Sequence, residues 1–446
     1  MAQDLTPQTV ELLQAMIRNA CVNDGTATSG HESRNADTLA AFLDGAGLDT
    51  ERYEPTPGRA TLVSRIAGSD PDAPSLCLMG HTDVVPVNSD GWRHDPFGGE
   101  LIDDEVWGRG AVDMLNLTSS MAVAYRHLAT SGFRPKGDLV YVAVADEEAG
   151  SAHGMQWMAD NHPDAVRADY VLTENGGLHM GTPEQPVIGV NIAEKGVAWR
   201  RLRLRGTPGH GSMPFRSENA LLKAAAVAQR LADYQPPARF TELWTERIDQ
   251  MDLDDETRAV MLDPDGLDQI LAEMPNKGAA AHLHACTHTT FSVNVADGGH
   301  MKTNVIPDTV DLEVDIRTLP GEGSEDVTAH LRAALGDLAD EVEITVLMND
   351  PASISRTDNP LWDSLLRAVS KPFAGARLTP QMTVGFTDAR VYRNMGAVAY
   401  GAGLFSPQLD AGDFASRFHG HNERIDVESL TLTTNLWVDV ARDLLG

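Results

Sequence analysis

The sequence predicts an α/β protein: a domain with a mostly parallel central sheet flanked by helices, and a ferredoxin-like α+β domain inserted into it. Three observations support this. Apolar strand runs alternate with helical periodicity early in the chain, a βαββαβ order fills the middle, and the early style returns at the C-terminal end. At 446 residues the chain is also too long for one ordinary core.

Thr9 to Ala20 carries a helical apolar period. Ser75 to Met79 reads as a buried strand, Leu117 to Leu128 as a helix, and Leu139 to Ala145 and Tyr170 to Thr173 as strands. Loops at the carboxyl ends of such strands form the usual crevice for a site. The style changes at Glu194-Lys195-Gly196. Strand Val197 to Arg205, helix Glu218 to Ala232, strands Thr289 to Ala296 and Thr309 to Thr318, helix Ser324 to Leu338 and strand Val342 to Met348 follow. This is the split-βαβ order, interrupted by a weakly helical, acid-rich insertion at about 235–288. A helix from Asn359 to Val369, strands within Thr383 to Gly403 and a helix from Val427 to Leu445 return to the first style. The predicted division is 1–193 with 353–446 as one discontinuous domain, and 194–352 as the inserted one.

A formal net charge of −30 argues against nucleic acid or an anionic membrane surface as partner, since both repel such a chain. Cys21, Cys77 and Cys286 are odd in number, far apart and in no Cys-x-x-Cys spacing. That indicates neither a disulfide framework nor a thiolate zinc site and favours a reducing, cytoplasmic setting. The N-terminus lacks the basic and apolar regions of a leader, and no stretch approaches a membrane span.

Chemistry concentrates in five segments: Gly80-His81-Thr82-Asp83, Gly110-Ala111-Val112-Asp113, Asp146-Glu147-Glu148, Thr173-Glu174-Asn175 and His419-Gly420-His421-Asn422-Glu423. Together they offer imidazoles, His81 and His419 among them, and several carboxylates, which suits a pair of Zn²⁺-like ions with one carboxylate shared. His81 emerges straight from a buried run, and Asp83 is within reach of its second ring nitrogen. Taken alone, Asp113 reads more readily as a helix cap, and only its company points to a ligand. Glu147 and Glu148 end an apolar strand, where adjacent carboxylates are costly unless a cation compensates, so they could divide the roles of ligand and base. Glu174 and His419 are individually weak signals and jointly supply the missing carboxylate and imidazole.

Gly80-His81-Thr82-Asp83, Trp107 to Met114, Glu147-Glu148, Gly209-His210-Gly211-Ser212, Asn304-Val305-Ile306-Pro307, Asp315-Ile316-Arg317 and His419-x-x-Asn422-Glu423 together carry a resemblance. The chain resembles the dizinc peptidases and deacylases related to aminoacylase, glutamate carboxypeptidase, acetylornithine deacetylase and succinyl-diaminopimelate desuccinylase, over nearly its whole length and in the right order. The resemblance implies that Asp113 bridges two divalent ions, Zn²⁺ foremost with Co²⁺ or Mn²⁺ as alternatives. His81 and Glu174 would complete one site, Glu148 and His419 the other, with Asp83 orienting His81. Glu147 would be the general base that takes a proton from the bridging water. His210, supplied in the family generally by a dimer partner, would donate to the oxyanion, while Asn304, Arg317 and Gly385 would bind substrate. The inserted domain would then be a lid and the surface of a homodimer.

The implied reaction is hydrolysis of an amide bond in a small peptide or N-acyl amino acid with a free carboxylate. A succinyl or carbamoyl substrate keeps the same residues, and a non-catalytic binding relative would not need Glu147 or His210. Three departures stand out. Leu115-Asn116 replaces a common lysine and glycine, Phe386 stands where a second glycine is common, and the 235–288 insertion could cover the lid face used for dimerisation.

Overall fold

The computed structural model describes residues 3–251, 253–298 and 302–446. They form two compact units. The first comprises residues up to Ile192, Ser355–Gln381 and Thr387–Gly446; the second comprises Ala193–Ile354 and Met382–Phe386. Gly385 and Phe386 therefore pack with the second unit, although the chain on either side of that short segment belongs to the first.

The sheet of the first unit runs Thr50–Thr56, Arg59–Ile66, Leu139–Val144, Leu76–His81, Tyr170–Thr173, Val398–Gly401, Val187–Glu194. It is parallel across the middle four strands and antiparallel at both flanks. Leu76–His81 and Leu139–Val144 are buried at every position, which is why they read as continuous apolar runs. Cys77, Met79, Val140 and Val142 pack on one face with Met155, Met158, Val166 and Tyr392. The helices Thr6–Arg18, Leu115–Thr130, Pro360–Val369 and Val427–Leu445 pack with one another, and Leu115–Thr130 lies on Leu76–His81.

That last approach depends on Gly80. A Cβ there would stand 2.3 Å from Thr118 Oγ1 and 3.0 Å from its Cα, so glycine lets the helix close on the strand immediately before His81. Thr118 Oγ1 then donates to the His81 carbonyl at 2.7 Å. Gly401 works the same way, since a Cβ would meet the Glu174 carbonyl at 1.9 Å.

Three features depart from the sequence reading. The hairpin Thr50–Thr56 and Arg59–Ile66 and the helix Ser33–Leu43 add to the first unit. Thr383 to Gly403, read as strands, contains the helix Ala389–Asn394, whose Ala389, Val391 and Tyr392 face the sheet. Asp113 and His419 do not follow strands of the main sheet: Asp113 precedes Leu115–Thr130, and His419 follows the helix Ala411–Arg417.

In the second unit an antiparallel sheet runs Thr290–Asp297, Thr309–Thr318, Arg200–Arg205, Val342–Val346. In order along the chain the strands are first Arg200–Arg205 and last Val342–Val346, which gives the ferredoxin-like arrangement. Val310, Leu312, Val314 and Ile316 alternate inward against Ala220, Ala224 and Val227 of one helix and Val327 and Leu331 of another. The insertion consists of the helices Glu242–Gln250, Asp255–Met261, Pro264–Glu273 and Lys277–Thr287.

Candidate metal centre

Three main-sheet strand ends bring His81, Glu147 with Glu148, and Glu174 to one edge of the first unit. His81 is the last residue of its strand, and its backbone N–H approaches Met114 Sδ at 3.2 Å. Its Nδ1 lies 3.0 Å from the Asp83 carbonyl and 3.5 Å from Asp83 Oδ1, so the ring donates through Nδ1 and turns the Nε2 lone pair outward. Nε2 faces Asp113 Oδ1 at 3.2 Å and Glu174 Oε2 at 3.9 Å. On the other side of Asp113, His419 Nε2 is 3.2 Å from Oδ2 and 3.3 Å from Glu148 Oε2.

Two triads result, His81–Asp113–Glu174 and Asp113–Glu148–His419, each with ligand atoms within 4.8 Å of one another. Asp113 belongs to both, one carboxylate oxygen turned to each. The Oε1 of Glu148 is buried with no hydrogen-bond partner, as a ligand oxygen awaiting a cation would be. The set therefore fits a dinuclear divalent centre.

Electrostatics agree. Burial, together with the charge of Glu174, pushes the Glu147 carboxyl well above the usual carboxylate range. Burial beside Asp113 raises Glu174 likewise and pushes Glu148 up to about 7. Burial opposes a charged His81, but Asp113, Asp83 and the nearby glutamates outweigh it and hold its pKa well above the ordinary value. His419 is raised to about 10 by its bonds to Asp113 and Glu148. Buried carboxylates that resist ionisation and imidazoles that attract protons mark a site short of positive charge.

Residues 77–443 match the description peptidase family M20/M25/M40. The chain belongs to this family. An N-fatty-acyl-amino acid synthase/hydrolase PM20D1 of Xenopus tropicalis is 27% identical over 99% of this chain and 87% of that protein. Aminoacylase-1 of Mus musculus is 26% identical over 85% of this chain and 82% of its own length. Among solved structures, the M20 family metallo-carboxypeptidase Sso-CP2 of Sulfolobus solfataricus superposes with a TM-score of 0.75 at 18% identity, covering 99% of both chains. This M20 protein is thus a metal-dependent hydrolase by family.

Several contacts that hold the centre have no local signature in the sequence. Glu423, fully buried, accepts from the backbone N–H groups of Gly110, Val112 and Asp113 at 3.1, 2.7 and 3.0 Å. Its other oxygen pairs with Arg109 at 2.6 Å, and Arg109 donates to the His419 carbonyl at 3.3 Å. One glutamate so ties together the two loops that carry Asp113 and His419. Asp83 accepts from Asn23 at 2.9 Å and from the backbone N–H of Glu147 and Glu148 at 3.3 and 3.1 Å, which fixes the position of the Glu147–Glu148 turn. Behind these, Arg59 pairs with Glu32 at 2.7 Å and Asp146 at 3.3 Å, all buried. Only long-range contacts reveal these groups, although a glutamate closing the His-x-x-Asn-Glu segment was a visible cue.

The second unit of the M20 chain holds His210, Asn304, Arg317 and Gly385. His210 and Asn304 come together: Gly209–His210 pairs with Val305–Ile306, and the Gly211 N–H donates to the Asn304 carbonyl at 2.8 Å. His210 Nδ1 accepts from the Ser212 N–H at 3.2 Å, which leaves Nε2 as the protonated nitrogen of the neutral ring. Arg317 pairs with Asp315 through Nε at 2.7 Å, while its buried Nη1 has no hydrogen-bond partner. Its guanidinium lies 5.2 Å from the Phe386 ring and 5.9 Å from that of Trp199. The Phe386 departure thus builds a face for Arg317. Nothing stands close to Gly385, whose Cβ would meet only Thr383 Cγ2 at 3.9 Å.

No helix among the described residues is long and apolar enough to cross a membrane.

Proposed function

We propose that the chain hydrolyses the amide bond of a small peptide or N-acyl amino acid bearing a free carboxylate. The observation that carries this reading is the shared Asp113, one oxygen toward His81 and the other toward His419. His81, Asp113 and Glu174 would hold one ion and Asp113, Glu148 and His419 the other, with Zn²⁺ favoured by the imidazole and carboxylate donors and Co²⁺ or Mn²⁺ as alternatives. When bound, such ions acidify water and polarise a carbonyl oxygen.

The remaining chemistry belongs to the chain. Glu147, excluded from both triads and buried, takes the proton of the attacking water and passes it to the leaving amine. Asp83 keeps the His81 lone pair outward. His210 donates through Nε2 to charge that develops on the carbonyl oxygen, a role supported by its Ser212 contact. Arg317, with Nη1 unmatched, binds the substrate carboxylate together with Asn304, and Gly385 leaves room for the substrate backbone.

The second unit acts as a lid and joins two copies of the chain. Its edge strand Val342–Val346, paired along one side only, exposes Ile344 at 40% and Val346 at 56%, apolar surface at a sheet edge, which supports that reading. A cytoplasmic setting is supported by Cys21, Cys77 and Cys286, all free thiols.

The test is a hydrolysis screen over dipeptides and N-acetyl, N-acyl, N-succinyl and N-carbamoyl amino acids with added Zn²⁺, Mn²⁺ or Co²⁺. Turnover of carboxylate-bearing amides and none of their amidated counterparts is expected. Equal rates on the amidated substrates would remove the role given to Arg317. Light scattering should report a mass of two chains, and a single-chain mass would remove the dimer.

A further inference from the structure

The helical insertion contains a second group of metal-ligating side chains that shares no residue with the dinuclear centre. Asp268 lies on Pro264–Glu273, His284 lies on Lys277–Thr287, and His288 follows that helix directly. Each offers one ligand atom, and the three atoms lie within 4.8 Å of one another.

His288 is the telling member. It is 0% exposed, and its Nε2 is buried without a hydrogen-bond partner. Nδ1 lies 3.0 Å from the His284 carbonyl and 2.9 Å from Thr287 Oγ1; the carbonyl can only accept, so a ring proton sits on Nδ1, and in the neutral ring Nε2 presents a lone pair. That lone pair faces a carboxylate oxygen, Asp268 Oδ1, at 3.3 Å. Two acceptors held at that separation repel unless a cation lies between them. A backbone carbonyl on the second ring nitrogen is also the usual support of a metal-bound histidine. The spacing fits as well: in a tetrahedral site with bonds of about 2.0–2.1 Å, neighbouring ligand atoms stand roughly 3.3 Å apart.

We infer that Asp268, His284 and His288 form a third metal site, for a Zn²⁺-like ion, which clips the end of Lys277–Thr287 to Pro264–Glu273. The two histidines are four residues apart, a spacing that places both rings on one helix face. Their rings stack at 3.9 Å between centroids with 3° between planes, which holds the two imidazoles together. Asp268 is 49% exposed, which leaves solvent to complete the coordination. Lys195 Nζ donates to the His288 carbonyl at 2.6 Å, which helps to hold that residue at the helix end. The ion pins the two helices and takes no part in hydrolysis.

The full chain is stripped with chelator, equilibrated with micromolar free Zn²⁺, and its metal counted by elemental analysis beside Asp268→Asn and Asp268→Asn/His284→Ala. Losing an outer-shell partner costs roughly 10–100-fold in metal affinity, and losing a ligand costs no less. Wild type should hold one ion per chain more than the double variant, with Asp268→Asn requiring roughly tenfold more Zn²⁺ for the extra ion. Co²⁺ titration should show the same extra equivalent as a separate visible absorption. Unchanged hydrolysis in both variants guards against misfolding, since neither side chain belongs to the dinuclear centre. Equal metal content in wild type and the double variant, at equal hydrolysis, would overturn the site and leave His288 as an ordinary partner of Asp268.

Discussion

At the scale of single residues the assignment rests on a division of labour between two neighbours. Glu148 and Glu147 adjoin in sequence, yet only Glu148 joins a triad, facing His419 at 3.3 Å. Glu147→Ala should therefore keep its metal, measured by elemental analysis, while turnover falls by about 10²–10⁴-fold or more, because the proton carrier alone is lost. Normal turnover in that variant would remove Glu147 as base. Legibility followed the same line. His81, Glu147 and Glu174 could be read because each closes an apolar run. Arg109 and Asn23 could not, because their value lies in long-range contacts, such as Arg109 to Glu423 and Asn23 to Asp83, and Glu423 shows only as the close of its segment. His288 carries no local sign either, since nothing near it in sequence points to Asp268.

At the scale of elements, buried runs and strict alternation were legible and amphipathic margins were not. Thr309–Thr318 alternates inward and outward at every position and was read with its bounds intact. The hairpin Thr50–Thr56 and Arg59–Ile66 escaped because its first strand is largely exposed and charged. Ala389–Asn394 reads as strand from its sequence because a six-residue helix is too short to show a period, and its apolar Ala-x-Val-Tyr run fits either state. The insertion appeared only weakly helical, yet Thr241, Asp254, Asp263 and Asn276 each cap the helix that follows, a local signal that was present. The loops of the centre depend on the buried Arg59 between Glu32 and Asp146. Arg59→Met should destabilise the protein by about 3–5 kcal/mol in denaturant unfolding, since it strands two buried carboxylates. A loss under about 1 kcal/mol would mean that those carboxylates find other partners.

At the scale of the whole molecule, stability and chemistry both depend on charge placed where water is scarce. Burial lowers the Lys195 pKa to about 7 from 10.5. Between those values the unfolded chain binds a proton that the folded chain has released, so stability rises with pH across that window. Lys195→Met should flatten that rise, with melting temperatures of variant and wild type differing most near pH 7 and converging toward pH 10. Parallel curves would mean that Lys195 stays charged in the fold. The carboxylates of the metal centre create the opposite demand, for cations rather than for loss of them. The most direct test of the central claim is hydrolysis of N-acyl amino acids and dipeptides by chelator-stripped protein as Zn²⁺ is returned, beside Asp113→Asn. Activity should vanish on stripping, return as Zn²⁺ fills the centre, and fail to return in Asp113→Asn at the same free Zn²⁺. Full turnover by the stripped protein, or by Asp113→Asn, would contradict the shared-carboxylate metal centre.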